Sequence, residues 1–163
     1  MTWTTPDLSD RFADARIAVA DWRHYGGRAC FSGPVVTVHC VADNSCVREL
    51  ANTPGHGRVL VVDGGADREH ALLGDLIAAA ARDNGWSGLV IQGCVRDVPE
   101  LATMDLGVVA LGSCPRKTDK RGAGLVDVEV CVGGVRISPG DVVYVDASGV
   151  LVLSAVQAAG IDG

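Results

Sequence analysis

The sequence has few of the features that mark membrane, secreted or nucleic-acid-binding proteins. No run of 18 apolar residues occurs, and residues 1–22 have neither the basic segment nor the long apolar core of a signal peptide. The formal charge is -6, which disfavours broad attraction to nucleic acid, because such binding depends on Lys and Arg that neutralise phosphates. We therefore expect a cytoplasmic protein that contacts neither membranes nor nucleic acid directly.

Cysteine pairs and aromatic residues are also scarce. The six cysteines form no CxxC pair, which argues against a zinc knuckle or a redox motif, and in a reducing cytosol we expect them to be small buried residues. Aromatic residues make up 4% of the chain, whereas 48% is hydrophobic and 21 residues are glycine. This composition and length are typical of one compact domain with many tight turns, so we predict a single domain over residues 1–163.

Apolar periodicity and turn residues predict the order of the elements. Helices are predicted at residues 7–20, 44–51, 73–84 and 99–104, and Asp7 or Ser9 can cap the first of them. Strands are predicted at residues 35–41, 58–63, 88–92 and 107–112. Residues 113–126 form a polar, basic loop, after which paired glycines and alternating residues predict antiparallel strands. The pattern indicates an α/β fold, with parallel βαβ units followed by antiparallel strands.

The glycines after the strand at residues 58–63 match a nucleotide-binding loop only in part. A Rossmann fingerprint has the spacing GxGxxG and leads directly from strand to helix. Here Gly74 comes nine residues after Gly65, so that spacing is absent, and the P-loop pattern is missing too. A methyltransferase loop built on VVDGGAD stays open as an alternative.

Charged residues stand at both ends of the crossover that joins the strands at 58–63 and 88–92. Asp75 lies near the start of the connecting helix, and Arg96 and Asp97 follow the second strand. In an open α/β sheet the crevice lies beyond the C-terminal ends of the strands, so these segments can line one crevice. The backbone N–H groups of residues 74–77 suit a carboxylate, which Arg96 can clamp as well.

The carboxylates beside this crevice suit a metal ion. Asp97, with Asp75 or Glu100 nearby, offers the hard oxygen ligands that Mg²⁺ or Mn²⁺ prefers, with several waters retained. A metal and an anion clamp together would hold a 2-oxo acid, polarise its carbonyl and stabilise an enolate. A purely structural interpretation is open as well, in which Asp75 caps the helix and Arg96 and Asp97 form a surface ion pair.

The block Val59–Leu153 resembles the family of RraA, the regulator of ribonuclease activity A, which also contains the class II 4-hydroxy-4-methyl-2-oxoglutarate aldolases. The motifs GDL, NGWSGLVIQGCVRD, MDLGV, PRKTDKRG and GGVRISPGD carry the resemblance in this order, and YGGRACFSGPVVTV carries it more weakly. The resemblance implies a β/β/α swivelling fold, like that of phosphohistidine domains. It also implies a ring-shaped homotrimer with the site between subunits.

The resemblance assigns roles to matching residues. The aldolases carry Asp, twenty residues, then Arg-Asp, and this chain matches with Asp75, Arg96 and Asp97. By that match Asp97 anchors a divalent metal, with Glu100 as a further ligand through water, and Arg96 binds substrate. The loop that holds the pyruvate moiety consists of Gly74, Asp75, Leu76 and Ile77.

The implied reaction is cleavage of 4-hydroxy-4-methyl-2-oxoglutarate to two pyruvates, with decarboxylation of oxaloacetate as a side reaction. Both reactions pass through a pyruvate enolate, so one metal site can serve both. No Schiff-base lysine is required. This is consistent with the sequence, in which Lys117 and Lys120 are the only lysines and lie in the basic loop.

The same resemblance offers an alternative and shows one departure. One branch of the family inhibits ribonuclease E by binding the protein, and its regulators replace the metal-binding Asp. Retention of Asp97 here favours a working metal site. Longer aldolases have extra C-terminal helices that supply an acid from a neighbouring subunit, and because this chain stops at Gly163 we expect that acid to be missing.

Three further sets of residues are weaker candidates. His70 is the only histidine near the proposed crevice and could act as a base. Cys94 precedes the Arg-Asp pair but has no partner base, so packing is the better interpretation. Contact with a phosphate or an acidic partner is one interpretation of the basic loop, and a solvated loop or a salt bridge between subunits is the one we favour; its basic residues are Arg116, Lys117, Lys120 and Arg121.

Overall fold

The computed structural model describes residues 2–161, which form short helices and a large mixed sheet. In chain order the elements are α1 (Thr5–Arg11), β1 (Arg16–Ala18), β2 (Arg23–His24), β3 (Phe31–His39), α2 (Ser45–Ala51), β4 (Val59–Asp63), β5 (Ala71–Leu73), α3 (Asp75–Asp83), β6 (Gly88–Val95), α4 (Val98–Ala102), β7 (Gly107–Ser113), β8 (Leu125–Val126), β9 (Val130–Val132), β10 (Val135–Ile137), β11 (Val142–Asp146), β12 (Gly149–Leu153) and α5 (Ala155–Ala159). Within the described residues no helix is long and apolar enough to cross a membrane.

A parallel sheet of β3, β4, β6 and β7 forms the centre of the molecule. Along β4, Leu60 and Val62 pack among residues of the helices, whereas Val59 and Val61 pack against antiparallel strands on the opposite face. Both faces of the sheet are therefore covered. This explains why its strands are almost continuously apolar, since a strand buried on both faces has no side that favours polar residues.

Three layers result from this packing. Helices α2, α3 and α4 cover one face of the parallel sheet, and β9 to β12 contribute the residues that pack on the other face. Strand β3 belongs to both parts, because residues 31–34 pair antiparallel with β11 and residues 35–39 pair parallel with β4. The arrangement is β/β/α, and the predicted α/β fold with parallel units followed by antiparallel strands is confirmed.

The prediction of a helix at residues 7–20 is wrong. Helix α1 ends at Arg11, its cap is Thr4 rather than Asp7 or Ser9, and residues 16–18 form β1, which pairs antiparallel with β12. The apolar spacing that predicted a long helix comes from residues such as Leu8 and Phe12, which pack against the sheet near β12. Backbone pairing with a strand remote in sequence overrides such a local pattern.

The cysteines are less uniformly buried than expected. Cys40 and Cys94 are buried, and burial raises the pKa of the Cys40 thiol to about 12. Cys131 is exposed, however, and the other three are half-buried. All six thiols are free in the described structure.

Strand β5, which the sequence did not predict, brings the two ends of the crossover together. It pairs parallel with the last residues of β6, with Ala71 opposite Cys94 and Leu73 opposite Val95. The backbone N–H of Arg96 continues this pairing by donating to the carbonyl oxygen of Leu73 at 2.9 Å. The start of α3 is thereby fixed beside Arg96 and Asp97.

Candidate functional site

A cleft of about 200 Å³ opens where β5 and β6 end, between the start of α3 and the basic loop. It is lined by Asn44, Arg48, Ala71, Gly74, Asp75, Leu76, Ile77, Arg96, Asp97, Lys117 and Lys120. The residues that the sequence predicts for substrate and metal binding therefore lie together, with the exception of Glu100. A neighbouring cleft on the other side of Arg96 and Asp97 is lined by residues 113–115.

The Asp97 carboxylate is held against the start of α3. Its Oδ2 accepts a hydrogen bond from the backbone N–H of Asp75 at 3.0 Å. A Cβ atom added at Gly74 would lie 2.7 Å from the same oxygen, so only glycine leaves room for the carboxylate. Asp97 thus partly caps the helix and lines the cleft at the same time, whereas the structural interpretation of the sequence gave the capping role to Asp75.

The backbone of Asp97 adopts a left-handed conformation, with φ 55° and ψ 45°. Residues other than glycine rarely adopt it, although Asp and Asn do so more readily than most. The sharp turn separates β6 from α4 and aims the Asp97 side chain back towards α3. Unfavourable backbone geometry of this kind concentrates at functional sites.

Arg96 makes no close ion pair at the cleft. Its Nε lies 3.9 Å from Asp97 Oδ2, near the limit for a salt bridge, and its side chain is 40% exposed. A surface pair of this geometry contributes little to stability, so the purely structural interpretation of the Arg-Asp pair is weak. The guanidinium is free to bind an anion from the cleft.

Positive charge dominates the cleft. Four cationic side chains line it, namely Arg48, Arg96, Lys117 and Lys120, against the two carboxylates of Asp75 and Asp97. This excess is notable in a chain whose formal charge is -6. A cleft with one predominant sign of charge concentrates counter-ions, and here these would be small anions.

Buried polar groups hold the basic loop against the rest of the cleft. Thr118 Oγ1 donates to Asn44 Oδ1 at 2.7 Å, and Asn44 Nδ2 donates to the carbonyl oxygen of Leu72 at 3.2 Å. The side chains of Asn44 and Thr118 are 6% and 3% exposed. Ala71 also donates to the carbonyl oxygen of Arg116 at 2.7 Å, so the loop is tied to both α2 and β5.

Asp43 fixes the far end of the same loop. Its Oδ1 accepts from the N–H and hydroxyl of Ser45, and its Oδ2 accepts from the backbone N–H groups of Arg121 and Ala123 at 2.9 and 3.0 Å. Burial by itself raises the pKa of Asp43, but these four hydrogen bonds outweigh it and hold the pKa well below its usual range.

The oxygen atoms beside the cleft suit a divalent cation that keeps most of its waters. Asp97 Oδ1 has no partner in residues 2–161, and the half-buried Asp75 carboxylate lines the same cleft. Mg²⁺ commonly binds proteins through one or two carboxylates and retains water at its other positions. No three His, Cys, Asp or Glu side chains of the described chain cluster closely enough to hold a metal by themselves.

Other predicted candidates lie outside the lining of this cleft. Glu100 is exposed on the first turn of α4, and its binding of a metal through water stays a prediction. The ring of His70 contacts Asp67, with 2.8 Å between Nδ1 and Oδ2. Cys94 is buried, and burial raises the pKa of its thiol, so the expectation of a packing role is confirmed.

Sequence reasoning missed part of the site. Asn44 and Arg48 come from α2 and its cap, and Lys117 and Lys120 come from the loop that we interpreted as solvated. The only sequence signal is the position of the loop, which follows β7 and so starts at the same edge of the sheet as β6. The basic loop lies against α2 because the buried Thr118 hydroxyl donates to Asn44. No local sequence pattern predicts this contact.

The fold and the cleft together define an α/β protein with a cationic cleft beside a carboxylate pair. Comparison with known proteins gives the family. The RraA-like family, described as Aldolase/RraA, matches residues 5–152. A relative from Xanthomonas campestris pv. campestris (strain B100), named "Putative 4-hydroxy-4-methyl-2-oxoglutarate aldolase", is 58% identical over 95% of this chain and 93% of its own length. A relative of the same name from Pseudomonas fluorescens (strain SBW25) is 51% identical over 92% of this chain and 93% of its own.

Solved structures agree with this assignment. The structure of S-adenosylmethionine: 2-dimethylmenaquinone methyltransferase from Geobacillus kaustophilus HTA426 has a TM-score of 0.91 and 46% identity, covering 93% of this chain and 95% of that one. The RNA-processing inhibitor RraA from Thermus thermophilis has a TM-score of 0.91 and 40% identity, with coverage of 94% and 93%. This chain belongs to the RraA-like family, as the motifs of the sequence implied.

Replacement of Gly74 by alanine tests whether the Asp97 carboxylate must sit against α3. The backbone of Gly74 is extended, with φ -128° and ψ -171°, so alanine is tolerated by the main chain but displaces Asp97 Oδ2. We expect the thermal midpoint to change little. Loss of one charge-assisted hydrogen bond should weaken binding of pyruvate with Mg²⁺ roughly tenfold or more, measured by calorimetry.

The matched control for this substitution is Gly160→Ala. An added Cβ there meets only the carbonyl oxygen of Gln157, at 3.3 Å, and φ is -77°. This variant should bind pyruvate as the wild type does. Equal affinity in all three proteins would contradict the proposed steric role of Gly74.

The anchoring of the basic loop by Asp43 predicts a pH-dependent stability. In Asp43→Asn the Oδ1 position still accepts from Ser45, but an NH₂ group faces the N–H groups of Arg121 and Ala123. We expect a loss of about 1–3 kcal/mol of unfolding free energy at pH 7, measured with urea.

The sign of the pH dependence follows from the lowered pKa. The folded-state pKa of Asp43 lies below the unfolded value of about 3.9. The ionised Asp43 therefore makes its full contribution to the free energy of unfolding above about pH 4, and this contribution declines as the pH falls below that value. The difference between wild type and Asp43→Asn should therefore shrink below about pH 4. Asp119→Asn, at an exposed position of the same loop, should show no comparable effect. A difference that stays constant down to pH 3 would refute the role of the ionised carboxylate.

Proposed function

We propose that this chain is a divalent-metal-dependent lyase that cleaves 4-hydroxy-4-methyl-2-oxoglutarate to two pyruvates and also decarboxylates oxaloacetate. The observation that carries this proposal is the meeting of Asp97, Arg96 and the start of α3 in one cationic cleft. Relatives with 46–58% identity that bear the name of this aldolase support the choice of substrate. A small cleft of about 200 Å³ is also consistent with a small acid.

The start of α3 would bind the carboxylate of the pyruvate moiety. The first hydrogen bond within the helix runs from Ala78 N–H to the Gly74 carbonyl oxygen, and the N–H of Asp75 already donates to Asp97. The N–H groups of Leu76 and Ile77 are therefore the ones left for a substrate. The helix dipole favours a negative charge at this position.

Arg96 and Asp75 would perform the steps of bond cleavage. In the proposed reaction the Asp75 carboxylate takes the proton from the C4 hydroxyl, and the bond between C3 and C4 breaks. The electron pair goes to C3, giving the enolate of one pyruvate, while C4 becomes the carbonyl carbon of the other. Arg96 would stabilise the negative charge that develops on the enolate oxygen. Return of the proton to C3 then completes the second pyruvate.

A metal ion would be held by Asp97 Oδ1 and by water, with Asp75 close by. When bound, Mg²⁺ or Mn²⁺ would polarise the 2-oxo carbonyl and favour negative charge on its oxygen. The chain itself contributes the orientation of the Asp97 carboxylate, through the hydrogen bond from Asp75 and the space left by Gly74.

We also propose that the cleft is completed by a neighbouring subunit of a homotrimer. Leu76, at the rim of the cleft, is 81% exposed, so the edge of the site has apolar surface that a partner subunit could cover. A partner subunit could also supply further oxygen ligands that the described cleft does not contain.

Methyl transfer, which the name of the Geobacillus kaustophilus protein suggests, is not supported by the glycine loop. A Cβ at Gly64 would lie 2.5 Å from Leu72 Cδ1 and 2.8 Å from the carbonyl oxygen of Gln92, so Gly64 serves close packing. Strand β5 also intervenes between this loop and α3, so the loop does not lead directly into a helix N-terminus.

Turnover of the two substrates by wild type and Asp97→Asn tests the proposed reaction. Asn tolerates the left-handed backbone at this position but lacks the charge that a cation requires. We expect pyruvate release with Mg²⁺ or Mn²⁺ in the wild type, none with EDTA, and a loss of about a hundredfold or more in the variant, comparable to the removal of one catalytic electrostatic group. Arg96→Ala should lose a similar factor.

Two controls make this experiment decisive. Light scattering should give the same oligomer for wild type, Asp97→Asn and Arg96→Ala. Borohydride treatment with pyruvate should leave Lys117 and Lys120 unmodified, which excludes a Schiff base formed by the lysines of the cleft. Turnover that survives Asp97→Asn or resists EDTA would overturn the metal assignment.

Inhibition of ribonuclease E by protein contact is the second candidate. It is favoured by the 40% identity and TM-score of 0.91 to the Thermus thermophilis protein described as an RNA-processing inhibitor. If both activities exist, Arg96→Ala should abolish pyruvate release while wild type and variant slow RNA cleavage by ribonuclease E equally. If neither protein slows RNA cleavage, the regulatory proposal fails and the lyase proposal is unaffected.

A further inference from the structure

The cleft has two walls that differ in their chemistry. One wall comprises the start of α3 with Asp75, Arg96 and Asp97, which the proposed function uses for the pyruvate moiety and the metal. The other wall comes from α2 and the basic loop, and it carries Arg48, Lys117 and Lys120. The proposed cleavage steps use no residue of this second wall.

The cations of the second wall have no anionic partner. No carboxylate in residues 2–161 lies within 4.0 Å of the charged nitrogens of Arg48, Lys117 or Lys120. Other arginines of the described chain also lack an ion pair, and the three cations of the second wall differ from them because they line one small cleft together. Three unpaired positive charges around one small cleft favour the binding of an anion from solution.

The second wall is held in place by groups that are themselves buried. Thr118 lies between the two lysines and is bonded through Asn44 to the backbone of β5, and Asp43 fixes the backbone at Arg121 and Ala123. A lysine on a freely moving loop would lose much conformational entropy on binding an anion. Anchoring the backbone on both sides of Lys120 reduces that loss, so the wall is built to present its charges to the cleft.

We propose that Arg48, Lys117 and Lys120 bind the second carboxylate of a dicarboxylic 2-oxo acid and thereby determine the specificity of the site. The inference rests on the proposed lyase function for the identity of the reaction. If the first carboxylate binds at the start of α3, the opposite wall of the same cleft is the place left for the far end of the substrate. A monocarboxylic analogue of the same shape leaves the cations of this wall without a partner.

The experiment compares two substrates that differ only in the second carboxylate. 4-Hydroxy-4-methyl-2-oxoglutarate has it, whereas 4-hydroxy-4-methyl-2-oxopentanoate carries a methyl group instead and yields pyruvate and acetone. Pyruvate release is measured for wild type, Lys117→Met, Lys120→Met and the double variant. Methionine keeps much of the apolar stem of lysine and removes its charge.

We expect the wild type to prefer the dicarboxylic substrate. In each lysine variant this preference should fall about tenfold, mainly because KM for the dicarboxylic substrate rises. This is the effect expected from the loss of one charge-assisted hydrogen bond. The control is Arg121→Met, which removes a positive charge from the same loop outside the lining of the cleft. It should retain the wild-type preference. Equal losses on both substrates, or an equal effect of Arg121→Met, would overturn the proposal.

A binding experiment separates failure of this proposal from failure of the lyase function. If the wild type cleaves neither substrate, the proposed reaction is wrong, and calorimetry with 2-oxoglutarate and 2-oxobutyrate still tests the second wall. Tighter binding of 2-oxoglutarate that disappears in the double lysine variant would support the dicarboxylate site. The absence of any preference between these two acids in the wild type would refute it.

Discussion

The hydrogen bond from the Asp75 N–H to the Asp97 carboxylate is the contact on which the rest of the site depends. It joins the start of a helix to the residue that follows the neighbouring strand, and it is possible because Gly74 has no side chain. Strand β5 places the two segments beside each other by pairing with the end of β6. The main chain thus fixes one carboxylate oxygen of a residue that lines the cleft, and the other oxygen has no hydrogen-bond partner in residues 2–161. A group oriented before a ligand arrives incurs less entropic cost when the ligand binds.

The opposite wall depends on a different principle, the satisfaction of buried polar groups. Asn44, Thr118 and Asp43 are almost completely excluded from water, and each would be costly without its hydrogen bonds. The basic loop satisfies them in a position where its lysines line the cleft. The groups that hold the loop are Asn44 and Thr118, which are neutral, and Asp43, which is buried. They leave the lysine charges exposed, so an acidic protein has a small region of positive charge.

Much of the fold could be predicted from local patterns, because the parallel strands are short apolar runs separated by glycine turns and amphipathic helices. The helices that start near Ser45 and Asp75 and the strand at Val59–Asp63 were predicted with bounds close to those observed. The helix predicted at residues 7–20 failed because β12 offers a free edge that residues 16–18 fill. Strand β5 was missed since three residues carry too little periodicity to be recognised.

The sequence by itself determined the family motifs, the α/β class and the spacing of Asp75, Arg96 and Asp97, because these depend on residues that lie close together along the chain. Only the tertiary structure decided that Asp97 Oδ2 caps α3 and that Lys117 and Lys120 face Arg96 across one cleft. The physical reason is that these relations are set by contacts between remote segments. The hydrogen bond between Thr118 and Asn44 spans 74 residues, and nothing in the local pattern of either segment specifies its partner.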